Sequence, residues 1–179
     1  RRQGHAARHT RKPLMQMPAT FHDLKGVSVF ITGGGSGIGA SLTEGFLRQG
    51  AKVAFVQRSD STASCDEMEK QTGSRPLFIR CDITDTAALR AAVDTAAKAH
   101  GPVTVLVNNA ANDKRHKTLE TDGDFWDWSM AINLKAYFFA AQAVIPGMQA
   151  GLTMDPLSGS FYVQHPNAGR WRPRGAGGG

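Results

Sequence analysis

Apolar residues recur along residues 23–150 in two alternating rhythms. Short runs come first: Val27-Ser28-Val29-Phe30-Ile31, Lys52–Val56, Leu77–Cys81 and Val103–Val107. They are rich in β-branched and aromatic residues and too short for helices, which predicts four strands. Segments with helical spacing lie between them. Leu42, Phe46 and Leu47 mark one face of a helix that Gly50 stops. Ser61–Gln71 reads as a polar helix ended by Gly73 and Pro76. The alanine-rich stretch 86–100 reads as the next, with Thr84 or Asp85 as N-cap and Gly101-Pro102 as its stop. Strand and helix alternate at roughly 25-residue spacing, the mark of βαβ units and a parallel sheet. The strands are apolar without alternation, so helices should cover both sheet faces.

A longer helical segment is predicted from about Asp124 to Ala150. Trp128, Ile132, Phe139 and Ala143 form one apolar stripe, and Met130, Leu134, Tyr137 and Phe138 a second. A helix apolar on two sides needs two partners: its own sheet and, on this reading, a neighbouring subunit. After Gly151 the pattern changes. Residues 151–179 hold seven of the twenty glycines, and no acid follows Asp155. Gly159–Val163 has the make-up of one more strand, and the low-complexity end Gly175–Gly179 is expected to be flexible.

Composition narrows the function classes. The 179 residues are 41% hydrophobic with a formal net charge of +6, enough apolar residues for a core. The charge is uneven: residues 1–12 carry five basic and no acidic side chains, residues 165–179 three basic and no acidic ones. The interval 13–164 holds 13 basic and 15 acidic residues. The basicity therefore belongs to the ends, and with no basic–aromatic stripe a nucleic-acid partner is not expected. No apolar run approaches the ~18 residues of a membrane span. Cys65 and Cys81 form no zinc or disulfide pattern, so a reducing, cytoplasmic setting is expected, with no metal. Residues 1–22 read as a disordered basic leader, a tag or upstream read-through ahead of Met15 or Met17, with a mitochondrial presequence as the alternative.

The chemistry concentrates after the first strand, in Thr32-Gly33-Gly34-Gly35-Ser36-Gly37-Ile38-Gly39. Glycines let a backbone approach a pyrophosphate closely, and the positive end of the following helix favours the anion. The spacing Gly33-x-x-x-Gly37-x-Gly39 differs from the usual G-x-G-x-x-G fingerprint. It resembles the T-G-x-x-x-G-I-G motif of the short-chain dehydrogenase/reductase family. Further matches follow in order. Asp82, with Ile83 beside it, resembles the family's adenine-contacting acid. Asn108-Asn109-Ala110-Ala111 is similar to its N-N-A-G motif, with Ala111 where glycine is usual. Asn133 falls where the family carries the asparagine of its catalytic tetrad. The resemblance covers about residues 23–150. It implies a Rossmann-type doubly wound α/β sheet, truncated after about the fourth or fifth strand.

The resemblance also implies a cofactor, NAD or NADP, cradled by Gly33, Ser36, Gly37, Ile38, Gly39, Asp82, Ile83, Asn109 and Ala110, with Asn133 as the catalytic residue. Selectivity is read where strand two ends: an acid there binds the ribose 2′-hydroxyl, whereas arginine accommodates a 2′-phosphate. The chain has Gln57-Arg58 and no acid before Asp60, so Arg58 favours NADP. Asn112–Lys117 and Phe125-Trp126-Asp127 are similar to aldose 1-dehydrogenases of the D-xylose type. This implies a sugar or other secondary alcohol as substrate. Arg115 and His116 read equally well as solvated loop residues, and Trp126 and Trp128 as packing. Full-length relatives are expected to be homo-oligomers through the 124–150 helix.

The family's proton-transfer parts are a serine and a later Y-x-x-x-K. The last lysine here is Lys135, and Tyr162 is followed by Val163-Gln164-His165-Pro166. The expectation is a family first half, 23–150, joined to an unrelated ending, 151–179, as a frameshift or wrong gene boundary would produce. An inactive chain follows, with a non-catalytic dinucleotide-binding module as the alternative reading.

Overall fold

The four apolar runs become the four strands of one parallel sheet in order β3-β2-β1-β4. They are β1 Ser28–Thr32, β2 Lys52–Gln57, β3 Leu77–Arg80 and β4 Val105–Asn108. The computed structural model describes residues 19–150, and the backbone of two short strands at 152–154 and 161–163. The rest of the expected leader and glycine-rich end lies outside the described residues. Residues 19–22, assigned to that leader from sequence, are tied to the domain: Gln49 accepts from the Phe21 amide at 2.8 Å and donates to the Ala19 carbonyl.

The helices are α1 Gly37–Arg48, α2 Thr62–Thr72, α3 Thr86–His100, α4 Gly123–Met130 and α5 Ala136–Ala150. All five residues of β1 are buried, and its side chains divide by parity. Val29 and Ile31 join Val53, Phe55, Leu47, Cys65 and Met68 on the α1–α2 face. Phe30 joins Ala54, Val56, Leu89, Val93 and Ala96 on the α3–α5 face. Burying each large side chain contributes about 1.5–3 kcal/mol, which is why this central strand anchors both layers. Of the two candidate caps for α3, Asp85 is the one used: its carboxylate accepts from the Ala87 and Ala88 amides.

The expected 124–150 helix is interrupted by one π turn, Ala131–Lys135, between α4 and α5. The extra residue shifts the helix face, and the apolar lines differ from those read in the sequence. Ala136, Ala140 and Val144 face the sheet, with Ile132, Tyr137 and Ala143 packed beside them. Leu134 (56% exposed), Phe138 (61%) and Ile145 (45%) face away. The run at Gly159–Val163 contributes strand β6, Phe161–Val163, which pairs antiparallel with β5, Leu152–Met154, in a separate ribbon. No helix among the described residues is long and apolar enough to cross a membrane.

Candidate functional site

The turn from β1 to α1 is shaped by what holds its carbonyl groups. Asn109 Nδ2 donates to the carbonyls of Thr32 and Gly33, each at 3.0 Å. Thr43 Oγ1 donates to the Gly34 carbonyl at 2.9 Å, and Ser64 Oγ to that of Gly35 at 2.8 Å. The Thr32 hydroxyl oxygen in turn accepts from the Asn109 and Ala110 amides at 3.0 and 3.1 Å. Four successive carbonyls are thus drawn into the protein. Gly33 has φ +71°, a left-handed conformation open to glycine, and a Cβ on Gly39 would collide with the Gly33 carbonyl.

The helix that follows carries no acid in its first turn, and its N-cap Ser36 makes no side-chain capping bond. The first amides of a helix have no intrahelical acceptor and sit at its positive end. Those of Gly37, Ile38 and Gly39 open the helix beside a cavity of about 710 Å³ lined by Gly33, Ser36, Ile38, Gly39, Arg58 and Asn109. Ile38 is 77% exposed there, an apolar residue with no core partner. The combination suits an anion flanked by an apolar group.

A second cleft of about 280 Å³ adjoins the first; Arg58, Asp82, Ile83, Ala110, Trp128 and Ile132 are among its walls. Asp82 Oδ1 accepts from the Thr84 amide and hydroxyl at 3.0 and 2.8 Å. Those two donors, with the Arg58 charge as a lesser cause, hold the Asp82 carboxyl below its usual range. It is therefore a fixed acceptor. Cys81 also lines the cleft; burial, then the Asp82 and Asp85 charges, push its thiol up, which keeps it protonated.

The structure brings nearly all the sequence-predicted residues together. Gly33, Ser36, Ile38, Gly39, Arg58, Asn109 and Ala110 share one cavity and Asp82 and Ile83 the adjoining one, while Gly37 is the first residue of α1. Asn133 stands apart, in the π turn. Its Oδ1 accepts from the Asn112 amide and its Nδ2 donates to the Asn112 carbonyl, both at 2.9 Å. Its side chain is thus a clamp on the segment after β4. His116 stacks on Phe125 with ring centroids 4.2 Å apart, and its Nε2 lies 2.8 Å from the Glu120 carbonyl.

Several residues escaped sequence reasoning. Thr43 and Ser64 hold the turn, and Thr32, quoted only as the first letter of the motif, proves to accept two amides. Gln57 Oε1 accepts from the Gly35 amide at 3.0 Å while its Nε2 donates to Ser59 Oγ at 2.7 Å. A hydroxyl at the end of a strand entering a glycine turn was the available signal for Thr32.

A model of the family described as short chain dehydrogenase matches residues 28–153. A probable galactose dehydrogenase of Rhizobium meliloti (strain 1021) is 48% identical over 138 residues, 75% of this chain and 54% of that protein. A D-xylose 1-dehydrogenase of Caulobacter vibrioides is 46% identical over 133 residues, 73% of this chain and 52% of that protein. The crystal structure of a blue fluorescent protein from a metagenomic library, in complex with NADPH, superposes with a TM-score of 0.64 at 38% identity. That match covers 69% of this chain and 52% of the other. The chain spans about half the length of the curated relatives it matches. The family model and these relatives together place the chain: it belongs to the short-chain dehydrogenase family.

Proposed function

We propose that the described domain is the dinucleotide-binding part of an NAD(P)-dependent oxidoreductase acting on a sugar or another secondary alcohol. One observation carries the reading: the carbonyls of residues 32–35 are all held back, beside an uncapped helix start and a cleft walled by Asp82 and Ile83. Gly33, Ser36, Gly37, Ile38, Gly39, Asn109 and Ala110 would hold the pyrophosphate side, and Asp82 with Ile83 the adenine side. When bound, the nicotinamide supplies hydride acceptance from the alcohol carbon. The protein's own work is to fix that ring and exclude water. Asn133 serves by positioning the 112–120 segment at the substrate end. Arg58, lining both cavities, favours the 2′-phosphate of NADP over a free hydroxyl. The similarity to galactose and D-xylose dehydrogenases supports an aldose as substrate.

The 179 residues have no lysine after Lys135 and hence no later Y-x-x-x-K. For these 179 residues we propose dinucleotide binding without turnover, the behaviour of a non-catalytic binding module. Calorimetric titration with NADPH and NADH, run beside an assay of D-xylose and D-galactose oxidation, tests both halves. Binding without turnover is expected. No binding would overturn the cradle, and turnover would overturn the missing proton relay. The outward line Leu134, Phe138 and Ile145 supports self-association through this helix. Sedimentation of Phe138→Glu against the parent checks it: loss of a dimer is expected. The buried free thiols Cys65 and Cys81 support a reducing, cytoplasmic setting.

A further inference from the structure

The rim beyond β2 holds a cation that the family motifs do not assign. Arg80 ends β3 opposite Gln57, and its Nε donates to the carbonyl of Arg58 at 2.9 Å. The bond reaches from one strand to the loop after its neighbour. It uses one of the five N–H donors of a guanidinium and leaves the terminal groups free to serve an anion.

Several of the acceptors that a free ribose hydroxyl could use are already engaged here, although each carboxylate keeps its second oxygen. Both ends of the Gln57 amide are bonded within the protein, to the Gly35 amide and to Ser59. Asp60 Oδ1 accepts from the Thr62 amide and hydroxyl at 3.2 and 2.7 Å, which turns it toward the start of α2. Asp82 Oδ1 is taken by Thr84. Meanwhile the ion pairs of the described residues involve Arg48, Arg75 and Lys117, and neither Arg58 nor Arg80 joins one. Arg80 is anchored on the backbone carbonyl of Arg58, so both cations belong to one loop region, and the Arg80 charge helps to lower the Asp60 carboxyl. A dianionic group beside that loop would gain charge-assisted hydrogen bonds from such donors.

We propose that Arg80 is a second cation of the cofactor-selecting rim, its guanidinium binding the 2′-phosphate of an adenosine 2′,5′-bisphosphate unit together with Arg58. The proposal rests on the dinucleotide reading above and deepens it. Arg80 is then a specificity-determining residue, with no part in hydride or proton transfer.

The test uses the full chain and two probes, adenosine 2′,5′-bisphosphate and adenosine 5′-monophosphate, titrated by calorimetry. The parent should prefer the bisphosphate. Arg80→Gln should lose about tenfold on the bisphosphate and less than about twofold on the monophosphate. Arg80→Lys, which keeps the charge and loses the bond to the Arg58 carbonyl, should retain most of the bisphosphate affinity, and it carries the test should Arg80→Gln not fold. Equal losses on both probes, or a lysine variant as weak as the glutamine one, would overturn the proposal and reduce Arg80 to a prop for the loop. An Arg80→Gln variant with unchanged bisphosphate affinity overturns it outright. A parent that binds both probes equally sinks the 2′-phosphate site. A parent that binds neither sinks the dinucleotide reading itself.

Discussion

The turn 32–39 and the segment 112–120 each lend a residue, Gly33 and Asn112, to the cleft beside Asp82, and they are built differently. The turn is held by bonds between residues far apart in sequence: Asn109 and Ala110 reach back 76 to 78 positions to Thr32 and Gly33. The 112–120 segment is held mostly by itself. Lys114 bonds Asn112, His116 meets the Glu120 carbonyl, and Lys117 pairs with Glu120 at 2.8 Å. Its ties to the following helices are the Asn133 clamp on Asn112, the His116 stack on Phe125 and Lys114 over the Trp128 ring. A part that receives an invariant group gains from being locked into the sheet. A part that meets a variable substrate gains from changing without disturbing the fold.

Substitutions can break that contrast, beginning with the strongest. Gly39→Ala should abolish nucleotide binding and cost about 2–4 kcal/mol in urea unfolding, because the added carbon meets the Gly33 carbonyl and the Asn109 amide. Retained affinity would show that the turn is not the cradle. Thr32→Val leaves the Asn109 and Ala110 amides without their acceptor, at a cost of about 1–3 kcal/mol. Its loss of nucleotide affinity should exceed that of any change within 112–120.

Asn133→Ala sharpens the other side of the comparison. Stability should fall by about 1 kcal/mol, and the Asn112 amide should exchange its hydrogen faster while NADPH affinity stays within about twofold. An equal loss at both places would mean that the two regions move as one. The smallest effect concerns acid. Asp82 is held below its ordinary value of 3.8, chiefly by Thr84, so its contribution is complete above that value and fades as pH falls through the folded one. Asp82→Asn should flatten this acid limb of the unfolding curve, leaving the behaviour near neutral pH unchanged in slope.

What the sequence disclosed and what it hid follow a physical line. Gly33, Gly37 and Gly39 were legible because the demand on them is local, a turn between a strand and a helix. Asp82 and Asn109 were legible through the family motifs that they resemble. Gln57, Thr43, Ser64 and Arg80 act across elements, and nothing in their sequence neighbours marks those contacts. The π turn was hidden for another reason. Ala131-Ile132-Asn133-Leu134-Lys135 contains no proline or glycine and carries ordinary helical residues, so the break is set by tertiary contacts such as the Asn133 clamp. The four strands were found because unbroken apolar runs are the signal a doubly covered sheet must leave.

The Asn109 side chain, 77 positions downstream of Thr32, has a consequence for the order of events in folding. A chain emerging N-terminus first can complete β1, the glycine turn and α1 while the carbonyls of Thr32 and Gly33 still lack their donor. That donor arrives only when β4 has docked beside β1, a closure over most of the domain. Until then the loop has its glycines but not the shape they permit. Nucleotide capture is therefore a late event, and in a refolding experiment it would time the arrival of the fourth strand rather than the formation of the motif itself.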